Sequence, residues 1–540
     1  MRTRFGMAIL VVACTATACS SGGGQTPTSP AGSSSPASSS DTARAVSLPA
    51  SAQKIMAKPA YQGARWTYEV SDLKTGKVLL ANRPSEMAFT ASTAKQFTVG
   101  AAYNTIGTNT KLTTPVYATG TVTNGVLHGN LALVASGDLT MGGRNAPQGR
   151  ADESFNEAHI DHVYGDLAPN AVKPLGHPLA GLDSLTQQIA AKGIRKVSGN
   201  VLIDDRLWQP FAGGEGTVQP MFINDNVLDI TVTPGASGAL AAIATSPVTT
   251  AYQVISKVKT GAGSKVALQV EPDTRQPHRL VVTGTIGASA GPRLTIYRIP
   301  DPASWARTLF IESLKRAGVT VTADPLATNP ADQLPSKSSY QPTRQVAKFT
   351  SPPLSAFGSL ILKTSYNTGA NAMLCLLAVH QGSTDCLAGL KPIRAMVDKA
   401  GLTAADVVLI DGQGADPASA SPAQMVTYLR WTQTQPWGAT LKAGQPVLGE
   451  SGTLASSGAN SPAKGKIQAK TGTSAHLDPG NDRALFNVQR LAGFMTTSDG
   501  RQLVFDIAMS SGTYPDVQTG IGQAGNDVAA VAAAIQQAVS

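Results

Sequence analysis

The sequence predicts an α+β protein in which a domain of antiparallel strands and helices is interrupted by a large β-rich inserted region. Three short motifs with related chemistry begin at Ser92, Ser365 and Lys470, far apart in the chain. The residues between the first two are glycine-rich and carry short alternating apolar runs, which are typical of strands. The 540 residues also exceed what one hydrophobic core usually serves. We therefore predict one domain from 46–115 and 346–540, with 116–345 inserted into it.

The individual elements follow from apolar periodicity and from turn residues. Alternation at 66–70 and at 78–80, around Gly76, indicates a β-hairpin, and a helix is expected from Ser92 to Gly107. Further strands are expected at 116–120, 131–134, 201–203 and 227–232, with a helix at 179–192. Helical periodicity returns at 302–317, 354–379, 388–400 and 421–434, before a final strand, strand and helix at 485–497, 502–510 and 527–539.

The N-terminus has the pattern of an export signal. Arg2 and Arg4 precede a short apolar run at 7–12, which is too short to span a bilayer. Residues 16–19 resemble a lipobox that ends at Cys19, although Ala16 stands where leucine is usual. We predict a lipoprotein-type signal at 1–19 with lipidation of Cys19, ordinary cleavage being the alternative. A Ser/Gly/Pro-rich tether at 20–45 follows, so we expect an exported protein, anchored to the outer face of the bacterial cytoplasmic membrane in the cell envelope.

The net charge limits the classes of partner. The chain carries 43 Lys and Arg against 34 Asp and Glu, a formal charge of +9. There is no dense basic tract and no nucleic-acid motif, so we predict no nucleic-acid partner. A diffuse positive charge favours residence beside anionic polymers, such as those of a bacterial wall.

The first motif is selected by its context. Ser-x-x-Lys occurs five times, starting at Ser51, Ser71, Ser92, Ser256 and Ser461. Among these, Ser92 stands where a helix should begin. Positions i and i+3 share a helix face, so Lys95 can reach the Ser92 hydroxyl. The positive end of the helix dipole also favours a nascent alkoxide at Ser92.

The other two motifs complete a set. Ser365-Tyr366-Asn367 lies between two helical segments, where both polar side chains can be directed into a cleft. Lys470-Thr471-Gly472-Thr473 follows an expected strand, and Gly472 permits close backbone approach. A nucleophilic Ser with a Lys one turn on, a second Ser, and a Lys-Thr-Gly strand, in this order, are typical of serine acyl-enzymes that react with β-lactams.

The cysteines and histidines offer little further chemistry. In an exported protein, Cys375 and Cys386 form an even pair, so a local disulfide is predicted, two buried thiols being the alternative. His159 and His162 flank Asp161 at near-ligand spacing. No third ligand is evident, so we interpret this segment as structural and predict no metal.

Beyond the trio, the chain resembles the D-alanyl-D-alanine carboxypeptidase/endopeptidase family of penicillin-binding protein 4 type, the class C low-molecular-mass penicillin-binding proteins. The resemblance runs over nearly all of the chain after the signal. Further matching segments, in the family's order, are Gly129-Asn130-Leu131, Ser136-Gly137-Asp138, Ile160-Asp161-His162, Gly199 to Asp205, Asn224-Asp225-Asn226, Asp411-Gly412-Gln413-Gly414 and Gly452-Thr453-Leu454. The resemblance implies a β-lactamase/transpeptidase-like catalytic domain that acts on peptidoglycan stem peptides and is inhibited by β-lactams, without a cofactor.

The resemblance also implies roles for the motif residues. Ser92 would attack the peptide carbonyl, Lys95 would take its proton if its pKa is lowered by burial and by a second cation such as Lys470, and Ser365 would relay a proton to the leaving amine. Asn367 would hold the substrate amide and orient Lys95. The Lys470-Thr471-Gly472-Thr473 strand would bind the substrate, with Lys470, Thr471 and Thr473 on its terminal carboxylate, and the N–H groups of Ser92 and Thr473 would form an oxyanion hole.

Four departures from the family bear on substrate preference. Leu139 stands where proline is usual, and Gln413 where serine is usual. An acidic residue expected from the inserted region has no clean counterpart around 208–219, where Glu215 is a candidate. Residues 475–490 are polar and irregular where the family often has a tighter turn.

Two other functions are compatible with parts of this pattern. A β-lactamase or esterase shares the trio, but β-lactamases are much shorter and lack so large an insertion. A non-catalytic wall-binding lipoprotein would not need all three motifs in order. The sequence does not decide between carboxypeptidase and endopeptidase activity.

Overall fold

The computed structural model describes residues 47–146, 150–151, 160–168, 170–213 and 215–539. The predicted signal, Cys19, the tether and His159 lie outside these ranges. None of the described helices is long and apolar enough to span a bilayer.

A central antiparallel sheet joins two distant parts of the chain. Its strands lie side by side in the order Val78–Asn82, Arg65–Asp72, Gln502–Ser510, Arg483–Thr496 and Ile467–Asp478, and Gly512–Tyr514 also pairs with Arg483–Thr496. Ile467–Asp478, which carries the Lys-Thr-Gly motif, is therefore an edge strand of this sheet.

The sheet lies between two helical layers, because alternate strand residues face opposite sides. Phe505 packs with the helices Ala50–Met56 and Val517–Ala538, whereas the neighbouring Val504 packs in the cluster that contains Phe97. That second layer contains the helices Lys95–Thr105, Leu354–Thr364, Asn367–His380, Leu390–Lys399, Pro422–Thr432 and Gly438–Ala443. A small sheet of Val407–Val408, Ser419–Ala420 and Ala88–Phe89 lies beside them.

The inserted region has its own hydrophobic core, built around the helices Ala180–Ala191 and Pro302–Arg316. It leaves and rejoins the rest of the chain through neighbouring strands, since Lys111–Ala118 pairs antiparallel with Gln345–Pro353. Its remaining strands are Thr121–Thr123, Val126–His128, Leu131–Val134, Asn145–Ala146, Arg150–Ala151, Ile160–Asp161, Ala171–Val172, Lys196–Val197, Val201–Asp204, Phe211–Gly213, Gly216–Val218, Val227–Thr233, Ala242–Ser246, Gln253–Ser256, Lys259–Gly261, Val266–Pro272, Arg279–Gly287, Arg293–Arg298 and Thr320–Val321. The boundaries at 115 and 345 stay predictions.

Several elements differ from the sequence-based prediction. The helix expected over 354–379 is two helices, because Ser365 adopts a left-handed conformation (φ 63°, ψ 27°) after Leu354–Thr364. The last helix begins at Val517, ten residues before the predicted start, and its first turn is capped by the Asp516 carboxylate. Residues 475–490, expected to be irregular, continue the strands Ile467–Asp478 and Arg483–Thr496 in regular pairing broken by one bulge.

Candidate active site

Ser92 and Lys95 lie at the beginning of the first helix of the helical layer. Ala91–Ala94 forms a 3-10 turn, and the α-helix Lys95–Thr105 follows directly. The turn brings Lys95 Nζ to 2.6 Å from Ser92 Oγ. The Lys95 side chain is fully buried. The structure thus places the predicted nucleophile and the predicted base in direct contact.

The Lys95 ammonium site is enclosed by acceptors from three parts of the chain. Besides Ser92 Oγ, Nζ donates to Asn367 Oδ1 at 2.6 Å and to the Gln413 backbone carbonyl at 3.2 Å. Burial lowers the pKa of Lys95 to about 7, against the opposing charges of Glu215 and Asp411. An amine with this pKa is partly unprotonated near neutral pH and can then accept a proton.

Lys470 and Ser365 form a second Lys–Ser pair in the same site. Lys470 Nζ donates to Ser365 Oγ at 2.9 Å and to the Thr471 carbonyl at 2.8 Å. Burial, and then the positive charge of Lys95, hold the pKa of Lys470 well below its ordinary value. The expectation that Lys470 lowers the pKa of Lys95 is not supported, because burial is the cause at Lys95 and the electrostatic effect resolved is that of Lys95 on Lys470.

The Lys-Thr-Gly strand runs directly against the turn that carries Ser92. A Cβ at Gly472 would lie 2.7 Å from the Thr90 carbonyl oxygen and 3.1 Å from Thr93 Cγ2. Thr471 Oγ1 pairs with Thr453 Oγ1 at 2.7 Å, and Thr473 Oγ1 donates to Gln489 Oε1 at 2.9 Å. Only glycine permits this approach, which fixes the strand beside Ser92.

The loop Asp411-Gly412-Gln413-Gly414 presents the carbonyl that contacts Lys95. Asp411 Oδ1 accepts hydrogen bonds from the N–H groups of Gln413, Gly414 and Ala415, between 2.7 and 3.2 Å. Thr98 Oγ1 donates to the Gly412 carbonyl at 2.7 Å. The sequence analysis assigned this loop no role. The loop contributes a backbone carbonyl, and because every residue has one, the residue types in the sequence do not reveal it.

Glu215 reaches the site from the inserted region, in the turn between Phe211–Gly213 and Gly216–Val218. Its Oε1 accepts a 2.6 Å hydrogen bond from Asn367 Nδ2, on the side of the amide opposite to Lys95. Arg298 Nη1 lies 3.9 Å from Glu215 Oε2. Burial raises the pKa of Glu215, opposed by Arg298, the hydrogen bond from Asn367, and Lys95. The candidate acidic residue therefore contacts the Ser-x-Asn motif.

A buried charge network stands behind that motif. Arg144 binds both oxygens of Asp161 (2.7 and 2.8 Å) and donates Nε to Asp225 at 2.9 Å. His162 bridges Asp225 and Asp229 at 2.9 and 2.8 Å. Burial acts to lower the pKa of His162, but the two carboxylates outweigh it and raise the pKa to about 10.

This network contacts the Ser-x-Asn motif through two tyrosines. Arg144 Cζ lies 5.8 Å from the ring centroid of Tyr366, and Tyr164 Oη donates to the Ser365 carbonyl at 2.7 Å. The segment around Asp161 and His162 is thus tied to the site by salt bridges and hydrogen bonds, and it holds no group of residues placed to bind a metal within the described ranges.

An open cavity of about 390 Å³ lies between the turn that carries Ser92, the loop that carries Gln413 and the strand that carries Thr473. Its lining residues are Ala91, Ser92, Asn367, Gln413, Gly414, Ala415, Asp416, Thr473, Ser474, Ala475 and His476. Ser92 and Thr473, the predicted oxyanion-hole residues, lie on it together. The other Ser-x-x-Lys serines that the sequence offered do not line it. Away from the cavity, Cys375 and Cys386 form a disulfide.

Comparison with known proteins decides the family. Residues 48–531 match the D-Ala-D-Ala carboxypeptidase 3 (S13) family. The chain belongs to this family. A D-alanyl-D-alanine carboxypeptidase from Actinomadura sp. (strain R39) is 26% identical over 500 residues, which cover 88% of this chain and 82% of that protein. The D-alanyl-D-alanine carboxypeptidase DacB of Haemophilus influenzae is 21% identical over 468 residues, 82% of this chain and 85% of that protein.

The S13 assignment agrees with the fold. The crystal structure of penicillin binding protein 4 (dacB) from H. influenzae superposes with a TM-score of 0.63 at 18% identity, covering 88% of this chain and 98% of that chain. The same protein complexed with a β-lactam gives a TM-score of 0.61. The predicted α+β, β-lactamase/transpeptidase-like fold is thereby confirmed. As an S13 family member, the protein is a D-Ala-D-Ala carboxypeptidase, a hydrolase.

Proposed function

We propose that this carboxypeptidase removes the terminal D-alanine of peptidoglycan stem peptides through an acyl-enzyme on Ser92, and that β-lactams inhibit it by acylating the same oxygen. The observation that carries the proposal is the 2.6 Å contact between the buried Lys95 Nζ and Ser92 Oγ at the edge of the open cavity. A base at this distance, with a pKa near neutrality, is what a serine nucleophile requires.

The proposed reaction has two halves. Ser92 Oγ attacks the carbonyl between the two D-alanines, and its proton passes to Lys95. The C–N bond then breaks, and the leaving amine takes a proton through Ser365, which Lys470 holds at 2.9 Å. Water hydrolyses the resulting ester and restores Ser92. The N–H groups of Ser92 and Thr473 stabilise the oxyanion, an effect worth about 3 kcal/mol per donor.

Lys470 and the threonines around it are proposed to bind the terminal carboxylate. Burial lowers the pKa of Lys470 and so disfavours its protonated form. A substrate carboxylate beside Lys470 stabilises that protonated form, so substrate binding raises the pKa again. The same strand can also accept a cross-linked peptide, so we extend the proposal to DD-endopeptidase activity, with stem peptides as the shared substrate.

Mass spectrometry of the full chain after incubation with penicillin tests the proposal. We expect a stable penicilloyl adduct on the peptide that contains Ser92 and none in the Ser92→Ala variant. Ser51→Ala, which removes another Ser-x-x-Lys serine on an exposed helix position, is the matched control and should acylate normally. Consumed drug without an adduct would indicate a β-lactamase-like enzyme, and intact drug without an adduct would favour a wall-binding protein.

We also propose that the protein is exported and anchored through a lipid on Cys19, as residues 16–19 suggest. Metabolic labelling with a fatty acid tests this. The wild-type chain should carry label and sediment with membranes, whereas Cys19→Ser should do neither. Label retained in Cys19→Ser would contradict the anchor.

A further inference from the structure

Both backbone polar groups of Gly412 are held by buried side chains from two different helices. Thr98 Oγ1, in the helix of the Ser-x-x-Lys motif, donates to the Gly412 carbonyl at 2.7 Å. Asn371 Oδ1, in the helix of the Ser-x-Asn motif, accepts from the Gly412 N–H at 2.9 Å. A Cβ at Gly412 would collide with the Ala370 carbonyl oxygen, so the loop packs directly against the second helix. The loop is therefore fixed at this residue.

Thr98 and Asn371 each lie about one helical turn beyond a residue of the active site. Thr98 follows Lys95 by three positions, so the two share a helix face. Asn371 follows Asn367 by four positions and shares a face with it in the same way. The backbone carbonyl that comes next in the loop is that of Gln413, which accepts from Lys95 Nζ at 3.2 Å. Both helices thus hold the loop directly before an acceptor of Lys95.

The Gln413 carbonyl acts on the orientation of the reacting amine. A neutral lysine amine has two N–H groups and one lone pair. Asn367 Oδ1, 2.6 Å from Lys95 Nζ, and the Gln413 carbonyl are acceptors that cannot donate. When they take the two N–H groups, the lone pair is left to face the Ser92 hydroxyl, 2.6 Å away. The two acceptors together therefore direct the amine to take the serine proton.

Asn371 is used through its oxygen alone. Its Nδ2 is buried and has no hydrogen-bond partner among the described residues. An unpaired buried donor lowers stability, and an apolar side chain would avoid it. The amide oxygen, in contrast, is engaged by the Gly412 N–H. The polar contact that Asn371 makes is thus its contact with the loop.

We propose that Thr98 and Asn371 are positioning residues for acylation, which hold the loop so that the Gln413 carbonyl directs the lone pair of Lys95 at Ser92. The inference rests on the proposed function, because it takes Lys95 as the base. Neither Thr98 nor Asn371 lines the cavity, so both act through the carbonyl and not on the substrate.

Thr98→Val tests the proposal, because valine has the shape of threonine without the hydroxyl. Stopped-flow measurement of penicillin acylation of the full chain, over a range of penicillin concentrations, separates the limiting rate constant from the affinity of the complex before reaction. Rates are expressed per chain that finally carries the adduct, so misfolded chains are not counted. We expect the limiting rate constant to fall about tenfold, since a misplaced reactive group slows the step, and the affinity to stay unchanged.

The pH profile provides a second measurement, which a general loss of stability would not move. A carbonyl that accepts from the ammonium form favours that form, so its displacement lowers the pKa of Lys95. The free amine then persists to lower pH, and the acid limb of the acylation rate should move to lower pH while the plateau falls. The charged groups that face this amine are Glu215, Asp411 and Lys470, and the variant changes none of them.

Thr308→Val provides the matched control. Thr308 is also a buried helical threonine, and its Oγ1 donates to the Pro325 carbonyl at 2.7 Å within the inserted region. Thr308→Val should leave the limiting rate constant and the acid limb as they are in the wild-type chain. Thr98→Ser keeps the hydroxyl and should also keep both.

Asn371→Ala is the second variant and serves alone if Thr98→Val does not fold. It should lower the plateau and move the acid limb in the same directions. It frees the Gly412 N–H but removes the unpaired Nδ2, so the number of buried polar atoms without a partner does not rise.

An unchanged limiting rate constant in either folded variant would overturn the positioning role, and so would equal falls in Thr98→Val and Thr308→Val. Slowed acylation in Thr98→Ser would contradict it as well, because the hydroxyl is still present. A penicilloyl adduct on Ser92 of the wild-type chain separates the two proposals. With that adduct and normal rates in the variants, the positioning role alone is wrong, whereas no adduct in the wild-type chain would contradict the proposed function itself.

Discussion

Glu215 and Asn367, which are 152 positions apart in the sequence, share a 2.6 Å hydrogen bond that fixes which end of the Asn367 amide faces Lys95. Nδ2 is engaged by the Glu215 carboxylate, so Oδ1 is left to accept from Lys95 Nζ. The inserted region thereby orients a group that touches the proposed base.

Glu215→Gln should shift the pH dependence of acylation. The Glu215 carboxylate raises the pKa of Lys95, so its loss lowers that pKa further and exposes more free amine at low pH. We expect the acid limb of the rate of penicillin acylation to move to lower pH, while the amide oxygen still accepts from Asn367. Glu215→Ala should instead lower the rate at all pH values. The exposed control Glu271→Gln should leave the acid limb where it is. If the acid limb does not move in Glu215→Gln either, this role of Glu215 is contradicted.

Lys95→Met should abolish acylation yet stabilise the fold. The lowered pKa of Lys95 means that its charged form is penalised in the folded state. That penalty is complete below pH 7 and disappears above the unfolded-state value. We expect the variant to gain about 1–3 kcal/mol in unfolding free energy at pH 7, and the gain to shrink towards pH 10. Thermal unfolding of both chains at the two pH values provides the measurement, and a destabilised Lys95→Met would be inconsistent with it.

Gly472→Ala should impair the site because a Cβ there meets backbone, which cannot easily move aside. The nearest atom, the Thr90 carbonyl oxygen, would be 2.7 Å away. We expect a loss of about 1–3 kcal/mol in stability and a slower acylation, since the strand must shift away from Ser92. Lys259-Thr260-Gly261 repeats the Lys-Thr-Gly sequence away from the site and provides a matched control, because a Cβ at Gly261 meets nothing within 4 Å. Equal acylation rates in the two variants would show that the close approach is not needed.

The disulfide should contribute to stability without contributing to catalysis. Cys375, inside the helix Asn367–His380, and Cys386, in the turn that follows it, are eleven positions apart and close a short loop. Replacing both with alanine should cost about 2–3 kcal/mol, because the unfolded chain regains the freedom of that loop. Denaturant unfolding measures the loss. Penicillin acylation under native conditions should be retained, and its abolition would indicate that the loop supports the site directly.

Local context was sufficient to choose the three motifs that the structure brings together. Ser92 could be separated from four other Ser-x-x-Lys serines because a helix was expected to begin there, and a helical turn fixes the reach of Lys95. Gly472 could be interpreted because glycine in a strand signals close approach. In each case the information lies within a few residues of the motif.

Contacts between distant segments could not be predicted in the same way. The bond between Glu215 and Asn367 depends on how the inserted region packs, and the Gln413 carbonyl is a backbone group present at every position. Val517 was missed as a helix start because Gly520, Gly522 and Gly525 weaken the helical pattern that burial against the sheet restores. The pKa values likewise depend on burial, which only the folded chain determines.

The inserted region is connected to the rest of the chain in two ways, through its covalent ends and through side-chain hydrogen bonds. Covalently, it enters and leaves through the paired strands Lys111–Ala118 and Gln345–Pro353. Elsewhere it contacts the Ser-x-Asn motif, through Tyr164 on Ser365 and Glu215 on Asn367. Grafting or deleting the region at its strand pair could therefore preserve chain continuity while leaving Ser365 and Asn367 without their outer partners. Substitutions in this region can therefore change the surroundings of Ser365 and Asn367 without altering any of the three motifs.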